Sequence, residues 1–95
     1  MQLSLVVIKT NQLDLLRQFY EELGLHLQQE KHGNGPVHFS TTIQKTVSEI
    51  YPLSKSIEIV DTTTRLGFSI ENLEETIGRI KQIGIQVVAE PKPLD

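Results

Sequence analysis

Residues 13–27 read LDLLRQFYEELGLHL, and the way this stretch returns later in the chain decides the fold. Leu13, Leu16, Tyr20 and Leu23 fall at helical spacing, with Leu15 and Phe19 widening the apolar stripe. Gly24 ends the helix, because glycine takes the left-handed conformation past a helix end without steric cost. Leu25, Leu27 and Gln29 then alternate with His26, Gln28 and Glu30, the pattern of a strand with one wet face. Sixty positions on, Leu13-Asp14 returns as Leu73-Glu74, the LGLHL segment as Ile83-Gly84-Ile85-Gln86-Val87, and Glu30 as Glu90. Apolar runs precede both copies, at residues 5–8 and 66–70. A constant offset through strand, helix, glycine and strand reads as an internal duplication. That offset is longer than strand-helix-strand needs, so the module holds further strands.

The chain of 95 residues fits one small domain, whose core draws on Leu, Ile and Val because aromatic content is only 5% and Trp is absent. A net charge of −3 supplies no basic stripe for releasing counterions from nucleic acid. No apolar run approaches the roughly 20 residues that span a membrane, and the start MQLSLVVIKT lacks the basic opening of a signal peptide. Without cysteine there is no disulfide, thiol nucleophile or Cys-based metal site. The expected compartment is cytoplasmic.

Taken in order, residues 3–9 suit a strand buried on both faces, and Asn11 with Asp14 offers an N-cap and capping-box variant to the first helix. Residues 32–36, HGNGP, form a turn, and residues 37–43 and 46–51 two strands joined at Gln44-Lys45. The linker is residues 53–64, with a short strand expected at 57–60. In the second copy a strand spans 65–70, and Asn72 caps a helix with Glu75 completing the box. Leu73, Ile77, Ile80 and Ile83 form its stripe, and Gly78 is explained by close packing against the sheet. Residues 85–90 are the last strand, stopped by Pro91 and Pro93. The fold class is α+β: two tandem βαβββ modules, the second truncated to βαβ, forming a mixed sheet with helices on its outer face. Module one is residues 1–52 and the incomplete module two residues 65–95. A ferredoxin-like sandwich is the structural alternative.

With FYEELGL at Phe19–Leu25, the duplicated plan and the acidic strand Ser48-Glu49-Ile50, the chain resembles the vicinal oxygen chelate superfamily. That group holds the glyoxalases, bleomycin-resistance proteins and extradiol dioxygenases. The resemblance implies a divalent metal (Zn, Ni, Mn or Fe) held between modules by His, Gln or Glu on first and last strands. Carried over, its ligand positions fall on Leu5, which has no donor, on Glu49, which fits, and on Arg65, a cation. The fourth falls on a strand outside this sequence. No metal is therefore expected within a single chain, and one is bound only if another chain completes the site. Glu49 and Arg65 would instead form a salt bridge where the metal would sit, leaving donors for an anionic ligand.

Beside Glu49 as the candidate catalytic residue, the ligand-binding candidates are Arg65, His38, Tyr51 and Phe39. His26 and His32 read as surface residues. His38 reads as a hydrogen-bonded structural residue that becomes the best general-base candidate if it lies near Glu49. The first functional reading is a small-molecule binding protein of the bleomycin-resistance type, with a metal-free cavity between sheets. The alternatives are a glyoxalase-like lyase or isomerase completed across a dimer, and a non-catalytic interaction domain. A homodimer is expected from bare strand edges at residues 66–70 and 85–88.

Overall fold

Helix α1, Leu13–Glu22, forms where the apolar stripe places it, and Gly24 follows it at φ +96°. A computed structural model describes residues 1–54 and 59–90 of the chain. Around α1 lie strands β1 (Leu5–Thr10), β2 (Gln28–Glu30), β3 (His38–Ile43) and β4 (Thr46–Pro52), and a second helix, α2 (Leu73–Gln82). The architecture is α+β. The four strands make one mixed sheet in the order β1-β4-β3-β2, with β1 parallel to β4 and the other two pairs antiparallel.

Alternation along the strands sorts their side chains onto two faces. Ile8, Ile50 and Phe39 sit side by side across three strands and meet Tyr20 and Leu27 in the core beneath α1. Tyr20 is 2% exposed, and its hydroxyl is hydrogen-bonded to the buried Ser48. The opposite face is covered by neither helix. β1 is accordingly half-buried on one face only, and Leu5 and Val7 stand outward.

Several local expectations are corrected. The α1 N-cap is Gln12, not Asn11, without a side-chain cap; the Gln12 N–H donates to Thr10 Oγ1 at 3.0 Å. Asn72 occupies the N-cap of α2 but sits left-handed at φ 56°, and its side chain caps nothing. The buried residues of α2 are Thr76 and Ile80, whereas Leu73 is exposed, so its inner stripe is rotated from the expected one. Gly78 is exposed, and a Cβ there would meet nothing within 4 Å, so close packing does not explain it.

Neither 65–70 nor 85–90 forms a strand. Both have the apolar character of one, yet among the described residues no partner strand runs beside them to take their backbone hydrogen bonds. The second half therefore contributes α2, which ends at Gly84 (φ +89°) as α1 ends at Gly24. The strand expected at 57–60 and the stops Pro91 and Pro93 fall wholly or partly outside the described residues. α2 is held to α1 by Arg79, whose Nε donates to Glu22 Oε2 at 2.8 Å. No helix among the described residues is long and apolar enough to cross a membrane.

Candidate functional site

The face of the sheet opposite the helices is ordered in rows. Register places Lys9 beside Tyr51, and Glu30 beside His38. Tyr51 and His38 close that row by stacking, with ring centroids 4.0 Å apart and an interplanar angle of 9°. In the next row Val7 lies beside Glu49, Glu49 beside Ser40, and Ser40 beside Gln28.

His38 is the centre of this face. It is 1% exposed, covered by Tyr51 on one side and by the His32 ring at 5.1 Å. Its Nδ1 lies 3.2 Å from the carbonyl oxygen of Pro36, which can only accept, so Nδ1 carries the proton. In the neutral ring Nε2 then presents a lone pair. Nε2 has no hydrogen-bond partner among the described residues, although Glu30 Oε1 is 3.3 Å away and Glu49 Oε2 3.9 Å. The distances satisfy charge proximity, while hydrogen-bond geometry is not met. A buried, rigidly held ring nitrogen thus faces two carboxylates, an arrangement that attracts a cation. The Tyr51 phenol registers the same field. Desolvation, then the Glu49 and Glu30 carboxylates, hold its pKa above the ordinary tyrosine value, with Lys9 working in the opposite direction.

The site residues expected from sequence divide three ways. Glu49, His38 and Tyr51 are together on the open face, and the condition that made His38 a general-base candidate, nearness to Glu49, is met. Phe39 is on the other face, in the core, with the Arg17 guanidinium 5.5 Å from its ring centre. Its neighbour in sequence to His38 is what excludes it, since adjacent strand residues point to opposite faces. Arg65 is exposed and makes no ion pair with Glu49 among the described residues. The premise for that bridge was a strand at 65–70, and none forms.

Two residues were missed, Glu30 and His32. Asn34, in the turn at the centre of HGNGP, makes Glu30 and His38 symmetric about it, so hairpin pairing alone would have brought them face to face. Ligand atoms of Glu30, His32 and His38 all lie within 4.8 Å of one another.

No protein-family model matches the chain, and no curated protein matches it significantly. Its fold is similar to that of solved structures. A hypothetical protein from S. aureus superposes with a TM-score of 0.62 at 19% identity, covering 99% of this chain and 78% of that one. An integron cassette protein from the mobile metagenome of V. Cholerae gives 0.55 at 15%, covering 97% of this chain and 74% of that one. A protein from the mobile metagenome of V. Pseudocholerae gives 0.57 at 16%, with the same coverage. At such identities the likeness is one of fold.

Proposed function

We propose that this protein binds a small molecule on the open face of its sheet, in the manner of the glyoxalase and bleomycin-resistance group. The observation that carries the reading is the buried His38, whose Nε2 is presented between Glu30 and Glu49 and is used by no other described residue. The site's negative character selects the ligand class. Two carboxylates and an imidazole lone pair favour a protonated amine or another strong donor. The Tyr51 ring and the exposed Val7 beside Glu49 offer an apolar footing for the rest of the molecule. The expected cavity between two sheets is replaced in this reading by a surface on one sheet.

The strand order β1-β4-β3-β2 after a β-α-β-β-β sequence of elements supports the family assignment as a proposal. So does the paired ending of α1 and α2 at Gly24 and Gly84, which fits a tandem module whose second copy is partial. The competing surface is a groove of about 300 Å³ between α1 and Ile85, lined by Leu15, Leu16 and Phe19.

Amide chemical shifts measured on the metal-free protein, with a panel of aromatic and aliphatic primary amines, test the proposal. Saturable changes centred on residues 30, 38, 49 and 51 are expected. Changes centred on residues 10–19 and 85, or none with any amine, would overturn it.

A further inference from the structure

We propose that Glu30, His32 and His38 bind one divalent first-row metal ion, with Nε2 of His38 as the anchoring ligand. The inference deepens the reading above by naming what the open face holds, and it rests on donors within one chain. None of the three is a position that the family resemblance makes a ligand.

Three observations point to a cation. The first is the convergence itself: one carboxylate and two imidazoles with ligand atoms within 4.8 Å of each other. The second is independent of it. His38 Nε2 is buried and without a hydrogen-bond partner among the described residues, and a buried polar atom left unpaired is unfavourable. The third is the support behind the ring. Histidine ligands characteristically donate their other N–H to a carbonyl or carboxylate, which fixes tautomer and orientation. Nδ1 of His38 does this to Pro36, and the Tyr51 stack holds the ring plane.

Distances agree with the chemistry. Ligands about 2.1 Å from a tetrahedral ion stand roughly 3.4 Å apart, and Nε2 of His38 is 3.3 Å from Glu30 Oε1. Closing the wider spread within the triad falls to His32, an exposed side chain between β2 and β3 that is not part of the core. Imidazole and carboxylate donors suit Zn, Ni, Co, Fe or Cu rather than Ca or Mg. Three protein ligands leave open positions where the lone pair of a small molecule, an unprotonated amine included, can coordinate, beside the second carboxylate, Glu49, at 3.9 Å from Nε2.

The test is calorimetric titration of chelator-stripped protein with Zn²⁺ and with Ni²⁺. One ion per chain is expected. Glu30→Gln and His32→Ala, both changes at accessible side chains, should each weaken it by at least tenfold, while His26→Ala, at an exposed histidine outside the cluster, leaves it unchanged. His38→Gln should abolish binding, with circular dichroism checking that this buried substitution still folds. Absence of stoichiometric binding overturns the inference. So does an equal loss in His26→Ala and His32→Ala, which would mark adventitious surface histidines. Because the amine titrations use metal-free protein, metal binding without amine-induced shifts refutes the small-molecule reading alone, and the reverse refutes the metal site alone.

Discussion

Tyr20 shows how one buried polar atom sets a measurable property. Its ring fills the core under α1, packing edge-on against Phe68 at 5.8 Å, and its hydroxyl is committed to Ser48. Burial raises its pKa above the ordinary value, and the Ser48 hydrogen bond only partly offsets this. The folded state therefore holds the phenolic proton more tightly than the unfolded chain. Its contribution to stability is full below the ordinary tyrosine pKa of about 10 and is lost as pH rises towards the folded value. The chain has two tyrosines and no tryptophan, so in Tyr51→Phe the tyrosinate absorbance reports Tyr20 alone. The native midpoint should lie above 10 and return to about 10 in denaturant; equal midpoints would contradict the packing described. Asp61 has the opposite sign. Hydrogen bonds from the Thr64 and Thr63 side chains and backbone amides lower its pKa, so what it contributes to the 61–64 turn is present above the ordinary carboxyl range and lost in acid.

At the scale of elements, the two glycines that the repeat singles out and the one inside α2 behave differently. Gly24 and Gly84 both have φ near +90°, where a Cβ is strained even with open space around it, so Gly24→Ala should cost about 1–2 kcal/mol. Gly78 is mid-helix, exposed and without close neighbours, so Gly78→Ala should stabilise by about 1 kcal/mol. Denaturant unfolding measures both, and a destabilised Gly78→Ala would restore the packing explanation. The same contrast explains what was legible in the sequence. α1, the glycine stop, and strands β3 and β4 are written in local periodicity and turn chemistry, and they formed where expected. Residues 66–70 carry the same apolar signal as residues 5–8, but a strand needs a partner, and partnership is a property of the sheet rather than of the segment. The site was half legible for a related reason. Glu49 came from the family resemblance and shares its face with Tyr51 by alternation, whereas His38, Glu30 and His32 join them only through hairpin register.

For the whole molecule, the exposed area is 7728 Å², against about 5,500 Å² for a monomer of this mass. Leu3, Leu66 and Phe68, all substantially exposed, surround one depression of about 220 Å³ at the end of β1. The edges first expected to pair are not strands, yet the clustered exposed apolar side chains of this patch give another reason to expect self-association. Light scattering at tens of micromolar should give a dimer, and Leu66→Glu a monomer; a monomeric wild type would count against the interface. The patch lies away from the row of Lys9, Tyr51, His38 and Glu30, so ligand and partner need not compete.

His38 Nε2 is the atom shared by the small-molecule and metal proposals, and imidazole nitrogen NMR reads it directly. In the metal-free protein His38 should be the Nδ1–H tautomer with Nε2 bare. One equivalent of Zn²⁺ should shift Nε2 of His38 together with the His32 ring and leave His26 unmoved. A protonated Nε2 that stays in place through the titration would mean that Glu30 and Glu49 simply hold an imidazolium, and would contradict the account.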